Sequence, residues 1–269
     1  MLVSALLCSI YNDVRSLIIG KKYSTEDLGY YNRGEQFPGI ISMTIDTAIQ
    51  SVMLPSLSSF QDMEEEFKSL LKKAVTFGGF VVIPVMVGLC MVTEPVIRIL
   101  LTDKWLPAVP YMQYVCIANV TVSLRSSNLI AVMAKGKSGL YMKLEIIRRI
   151  TMLLILLFSV FAFNSIIAIV IGYVISSFID TIIILVPSKK IFGYGMCEQI
   201  KDLWKIMVAS IIMVCAMFGV SLIGLSIWWE LIVQFIVGVF IYFLSCWLMK
   251  EKSLTFIRML FDKFTKKSK

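Results

Sequence analysis

Long apolar runs are the feature that most constrains how this chain folds. Segments of about 20 predominantly apolar residues, the length that crosses a bilayer as a helix, recur along its 269 residues, and the chain is 58% hydrophobic and only 16% charged. A soluble domain carries roughly 25% charged residues. The runs predict an all-α membrane protein, because a lipid-exposed sheet edge would leave backbone groups unpaired.

The hydropathy pattern predicts a polytopic bundle of about eight transmembrane helices. They cover residues 1–20, 36–58, 74–93, 110–134, 150–163, 165–187, 206–226 and 228–249. Pro38, Gly39 and Pro55 predict a kink or a local break in the second span.

Lysine and arginine are distributed unevenly among the predicted connections. If the spans alternate, one set of connections holds 5 of these residues and the other holds 19, and the remaining two of the 26 are Arg15 and Arg125 inside apolar runs. The positive-inside rule places the richer set, both termini and the basic tail 250–269 in the cytoplasm. The net charge of +8 is thereby explained without a nucleic-acid partner.

Several kinds of chemistry have no support in the residues. The chain has no His, and its six Cys form no CxxC pair, so the sequence predicts neither a metal site nor a cofactor. It also lacks a glycine-rich phosphate loop and the GxSxG and HExxH patterns. We therefore expect a protein that is not an enzyme.

Polar residues inside the apolar runs are the candidate functional residues, because an ionisable side chain at the bilayer centre costs about 3 kcal/mol. Asn12 and Arg15 are i, i+3 neighbours on the first span. Asp13 points about 200° away from Arg15 around the same helix. Arg15 therefore needs a partner elsewhere: a carboxylate on another helix, a hydrated cavity or an anionic substrate.

The other candidates lie on later spans. Asp46 belongs to a polar face of the second span, Arg125 lies within the fourth, and Asp180 lies near the end of the sixth. Two interpretations are open. These residues line a hydrated cavity, or they form interhelical pairs, such as Arg15 with Asp46, that fix the packing. Arg33 and Glu35 are close enough to the outer interface to be snorkelling residues.

Three strings carry a specific resemblance. They are YNDVRSLIIGKKYSTEDLGYYNRGEQFP from Tyr11 to Pro38, VMLPSLSSFQD from Val52 to Asp62, and VIPVMVGLCMVTEPVIRILLTDKWLPAVP from Val82 to Pro110. Together they resemble the C-terminal half of a Wzx-type lipopolysaccharide and polysaccharide flippase of the multidrug/oligosaccharidyl-lipid/polysaccharide (MOP) exporter superfamily.

The resemblance implies a fold and a function. Residues 1–187 would form the C-terminal lobe, 188–249 two additional transmembrane helices, and 250–269 a basic amphipathic tail at the cytoplasmic face of the bacterial inner membrane. The implied function is translocation of an undecaprenyl-pyrophosphate-linked oligosaccharide between leaflets in polysaccharide biosynthesis. Charge chemistry then assigns substrate-binding roles to Asn12, Arg15, Arg33 and Arg125, and ion-coupling roles to Asp13 and Asp46.

The expected partners are the lipid-linked oligosaccharide, membrane lipid and a separate N-terminal lobe. Because the family builds its cavity between two lobes and only one is present, this chain is expected to be inactive alone. Two other functions stay open. One is a fragment of a drug/cation antiporter of the same superfamily, and the other is a non-transporting membrane subunit or remnant.

Overall fold

The computed structural model describes residues 14–163 and 165–251, and within these ranges all regular structure is helical. The elements in chain order are residues 14–22 (α1), Thr25–Ser58 (α2), Glu64–Met91 (α3), Thr93–Leu101 (α4), a 3₁₀ segment Asp103–Ala108, Val109–Asn119 (α5), Val122–Ala134 (α6), Ser138–Ala162 (α7), Ile166–Leu185 (α8), Ser188–Phe192 (α9), Met196–Ser221 (α10) and Ile227–Leu248 (α11).

Six helical segments in these ranges are long and apolar enough to cross a membrane. The predicted polytopic all-α architecture is therefore confirmed, although the number eight is not exact. Two predicted spans are outside the six. The first is described only from residue 14, and the fifth corresponds to α7, which is 25 residues long but carries several charged residues.

The helices begin earlier than the hydropathy pattern predicts. The second span starts at Thr25 rather than residue 36, the third at Glu64 rather than 74, and the fifth at Ser138 rather than 150. Charged residues lower the local hydropathy but are good helix formers, so helix and apolar run do not end together. In α2, Ser24 is the N-cap, and its Oγ accepts from the Asp27 amide at 3.0 Å.

The second span is not broken at its prolines. α2 runs for 34 residues through Pro38 and Pro55. It packs against α5 and α6. Only 11% of its most apolar 18-residue stretch is buried. In the segment Asp103–Ala134, which contains α5 and α6, 67% of the corresponding stretch is buried. α2 therefore presents most of its surface to the outside of the described bundle.

α3 and α6 pack against each other and lie between two groups of helices. On one side α8 packs against α5 and α7, and on the other α10 packs against both α3 and α11. Near the predicted boundary at residue 188, Asn128 Nδ2 donates to Gln199 Oε1 at 2.8 Å and Ser188 Oγ donates to Asn128 Oδ1 at 3.0 Å. Burial and the hydrogen bond that Tyr194 donates to Asp202 at 2.7 Å raise the pKa of Tyr194. This network ties α6 to α10.

The Tyr242 hydroxyl replaces a backbone donor that a proline removes from α3. Pro84 has no N–H, so the carbonyl of Phe80, one turn earlier, loses its ordinary helical donor. The buried Tyr242 hydroxyl of α11 donates to that carbonyl at 2.8 Å. The packing of α11 therefore satisfies a backbone group that the sequence of α3 leaves open.

Replacing Tyr242 with Phe is expected to lower the free energy of unfolding by about 1–3 kcal/mol, because the Phe80 carbonyl is left buried without a donor. The measurement is unfolding by a denaturing detergent. In a Pro84→Ala background the same change should cost less, because an alanine at this position supplies a backbone N–H. Equal losses in the two backgrounds would contradict this explanation.

Candidate functional site

The first group of buried polar residues, the Arg15 cluster, consists of Arg15, Glu35, Tyr31 and Tyr173. Arg15 is 3% exposed, and its Nη2 donates to both oxygens of Glu35 at 2.7 and 2.8 Å. Its guanidinium carbon also lies 5.2 Å from the ring centres of Tyr31 and Tyr173. Charge pairing and two aromatic faces therefore hold this cation between α1, α2 and α8.

The partner of Arg15 differs from the pair suggested by the sequence. The acceptor is Glu35, not Asp46. Glu35 was placed near the outer interface because α2 was expected to begin at residue 36. With α2 starting at Thr25, Glu35 lies about 15 Å along the helix. Its side chain is 31% exposed, so the pair is buried on the arginine side and partly open on the carboxylate side.

The second group, the Arg125 cluster, consists of Arg125, Glu145, Arg148, Arg149 and Asp180. Arg148 Nη1 donates to Glu145 Oε1, Arg149 Nη2 lies 3.7 Å from Glu145 Oε2, and Arg148 Nε lies 3.5 Å from Asp180 Oδ2. Tyr173 and Asp180 are two turns apart on α8, so the two clusters are separated by about 10 Å along that helix.

Arg125 differs from the other arginines of its cluster. It donates from Nη1 to the backbone carbonyl of Ser177 at 3.2 Å and to the Ser177 hydroxyl. In the ranges 14–163 and 165–251 it forms no ion pair within 4 Å, and its side chain is half-buried. A cation at this depth has a high desolvation cost, and this one has no contacting carboxylate to offset it.

Asp46 lies on the exposed helix α2, within electrostatic range of Arg125. Its Oδ2 accepts from Gln50 Nε2 at 2.8 Å, and its Oδ1 is buried with no hydrogen-bond partner among the described residues. The hydroxyl of Ser42 on α2 and those of Ser126 and Ser127 on α6, a helix packed against α2, are also buried without partners among the described residues. Buried polar atoms of this kind are normally satisfied by water or a ligand.

The remaining predicted site residues lie elsewhere. Arg33 is exposed, donates to Gln36 Oε1 at 2.7 Å, and lies 5.4 Å from the Trp105 ring centre. It is not part of either cluster. Asn12 and Asp13 fall outside the described residues.

Three arginine and glutamate residues of the Arg125 cluster were not predicted as site residues. Glu145, Arg148 and Arg149 were assigned to a cytoplasmic connection because they precede the apolar run of the fifth span. The structure places them inside α7, with Glu145 and Arg148 buried. Their i, i+3 and i, i+4 spacing was the available signal, since it puts one carboxylate and two guanidiniums on one face of a helix.

The two clusters together are the candidate site for a charged ligand. Arg125 is a half-buried cation, and neighbouring polar atoms lack partners among the described residues. The same residues contain no group of three or more Cys, Asp or Glu side chains that would hold a metal ion.

Comparison with known proteins relates this chain to polysaccharide biosynthesis proteins. The model of a family described as polysaccharide biosynthesis protein matches residues 1–110. An uncharacterised membrane protein in the cps region of Klebsiella pneumoniae is 22% identical over 99% of this chain and 55% of its own length. The lipopolysaccharide biosynthesis protein WzxC of Escherichia coli K12 is 20% identical over 71% of this chain and 39% of its own.

Two further proteins extend the comparison. The teichuronic acid biosynthesis protein TuaB of Bacillus subtilis 168 is 24% identical over 52% of this chain and 29% of its own length. The solved structure of the lipid II flippase MurJ, in an inward closed conformation, superposes with a TM-score of 0.74 at 19% identity, covering 92% of this chain and 52% of that one. This chain spans about half the length of the first relative and of MurJ, and less of the other two.

The resemblance to the MOP-type flippases is thereby confirmed in sequence and in fold. This chain is a multi-pass membrane protein similar in sequence to polysaccharide biosynthesis proteins and in fold to a lipid II flippase.

Proposed function

We propose, taking its likeness to the MOP-type flippases as the premise, that this chain is half of a carrier that translocates an undecaprenyl-pyrophosphate-linked oligosaccharide across the bacterial cytoplasmic membrane. The observation that carries the proposal is Arg125, a half-buried guanidinium in the membrane interior with no carboxylate in contact among the described residues. A pyrophosphate moving through hydrocarbon requires such a cation.

The Arg15 cluster has a different place in this proposal. Because Glu35 already neutralises Arg15, a phosphate reaches this guanidinium only by displacing or sharing the carboxylate. Arg125 is therefore the proposed first contact of the phosphate. Arg15, which lies beside Tyr173 of α8, is the second. Arg33 lies apart from both clusters, and its proposed role is to contact the substrate at the entrance to this route. Asp46, and Asp13 on the first span, are the proposed ion-coupling residues.

A second lobe completes the proposed carrier. This chain covers 55% of its Klebsiella relative and 52% of MurJ, and most of α2 is uncovered. We propose that another lobe, as a separate polypeptide or within a longer one, faces α2 and closes a cavity beside Arg125. We propose that both termini of this chain lie in the cytoplasm, which the lysine and arginine distribution supports.

Replacing Arg125 with Gln is expected to abolish polysaccharide export, because the amide cannot neutralise a phosphate. The full chain is expressed with the part of the Klebsiella relative that it does not cover, in a strain lacking that relative, and surface polysaccharide is measured. Arg98→Gln is the control, because Arg98 is a partly exposed arginine paired with Glu94 and Asp103.

The outcomes separate the proposals. Normal export with Arg125→Gln would reject the role of Arg125. Failure of the wild-type pair, with both halves present in the membrane, would favour the non-transporting alternative. Export of organic cations instead of polysaccharide would favour the antiporter alternative.

A further inference from the structure

Asp180 is the most completely buried carboxylate of the Arg125 cluster. It lies in the membrane-spanning part of α8 with 1% of its surface exposed. Its Oδ1 has no hydrogen-bond partner among the described residues, and its Oδ2 is 3.5 Å from Arg148 Nε without forming a hydrogen bond. An ionised carboxylate in a dry interior is costly unless it is both paired and hydrogen-bonded.

The neighbouring carboxylate is much better compensated. Glu145 accepts a hydrogen bond from Arg148 and lies 3.7 Å from Arg149. Arg148 therefore contacts Glu145 more closely than it contacts Asp180. Of the two acids in the cluster, Asp180 is the one that gains more by binding a proton.

The charged groups around Asp180 come from the helices packed against α8. α7 contributes Glu145, Arg148 and Arg149, and α6 contributes Arg125. The other elements add few titratable groups. Those of α5 are tyrosines and a cysteine, and α8 itself adds Tyr173. The exposed Lys189 and Lys190 lie on α9, and Asp46 of α2 acts on Arg125.

We propose that Asp180 is a proton-binding site whose occupancy sets the affinity of the neighbouring Arg125 for an anion. The cluster holds three arginines and two carboxylates, a net charge of 3 minus 2, or +1, and binding one proton at Asp180 makes it +2. The proton comes from water and binds the unpartnered Oδ1, and no other bond changes. Proton binding and anion binding then strengthen each other, and by linkage the effect is reciprocal.

This inference deepens the proposed function, on which it rests for the identity of the anion as a phosphate-bearing lipid. It gives that carrier a coupling proton at a residue on α8 that the sequence had not assigned to coupling. A proton bound at Asp180 favours the loaded state, and its release favours discharge of the anion.

The first test detects the proton itself and needs no transport. The full chain is reconstituted in lipid, and infrared difference spectra are recorded between mildly acidic and mildly alkaline pH, a range in which exposed carboxylates stay ionised. A protonated carboxylic acid has a carbonyl stretch that disappears on ionisation. We expect such a band in the wild type and its loss in Asp180→Asn. It should persist in Asp62→Asn, which makes the same change at an exposed residue.

The second test measures the linkage with sulfate as the probe, because sulfate keeps its charge from mildly acidic to mildly alkaline pH. Its affinity for the wild type should fall roughly tenfold as pH rises, the size expected for the loss of one unit charge near the binding site at the effective dielectric constant of a protein. In Asp180→Asn the affinity should stay high and independent of pH. In Arg125→Gln binding should be lost.

Three outcomes would overturn the inference. They are an infrared band that survives Asp180→Asn, a band that is lost in Asp46→Asn instead, and sulfate binding with no dependence on pH in the wild type. If Asp180→Asn does not fold, Asp180→Glu should keep both the band and the pH dependence, and their loss would count against the inference. Loss of export in Arg125→Gln alongside any of these results leaves the carrier proposal standing without Asp180.

Discussion

Replacing Glu35 with Leu is expected to lower the free energy of unfolding by about 2–3 kcal/mol, less than the cost of breaking a fully buried ion pair because the Glu35 side chain is 31% exposed. Arg15 is 3% exposed, and Glu35 supplies both oxygens that its Nη2 contacts. The rings of Tyr31 and Tyr173 remain beside it, but a cation–π contact contributes only about 2 kcal/mol even when desolvated. The measurement is the denaturing-detergent midpoint of the purified chain.

A double-mutant cycle separates the pair from its surroundings. Arg15→Met combined with Glu35→Leu should recover most of the loss, because no buried charge is then left behind. Glu94→Leu is the matched control, because Glu94 forms an exposed pair with Arg98, and such pairs contribute about 0–1 kcal/mol. A Glu35→Leu variant as stable as Glu94→Leu would show that the Arg15 pair does not hold α1 to α2.

Replacing Gly34 with Ala is expected to destabilise the protein by about 3 kcal/mol, the upper range for overpacking. An added Cβ would lie 2.8 Å from Tyr111 Cβ, 2.9 Å from the Met112 nitrogen and 3.0 Å from the Ala108 carbonyl oxygen. Two of these atoms belong to the backbone, so relief requires α2 and α5 to move apart. Small residues permit this close helix approach in membranes.

Gly39 provides the control on the same helix. An added Cβ there meets nothing within 4 Å. Gly39→Ala should therefore be neutral or stabilising by up to about 1 kcal/mol, since alanine is the better helix former. Equal effects of the two substitutions on the detergent midpoint would contradict the close approach of α2 and α5.

Much of the architecture followed from the order of residues along the chain. The alternation of apolar runs and basic connections gave an all-α polytopic protein, and the motifs between Tyr11 and Pro110 gave the resemblance to flippases that the comparisons support. Helix starts were wrong where charged residues continue a helix. α7 is the main case, because Arg148 and Arg149 lie within it rather than before it.

The candidate site was only partly predictable. Arg15 and Arg125 stand out in any hydropathy profile, because a charge inside an apolar run is costly wherever the helix lies. Their surroundings do not appear in such a profile. Glu35 reaches Arg15 from 20 residues away, and Arg125 binds Ser177 from 52 residues away.

The residues alone determined that charges would be buried in a membrane, because transfer energy depends on residue type and on the length of an apolar run. Only the tertiary structure decided which charges neutralise each other. Helical periodicity gives the face on which a side chain lies, whereas pairing depends on which faces meet and at what depth. That is why Arg15 is held by a carboxylate while Arg125 contacts none among the described residues.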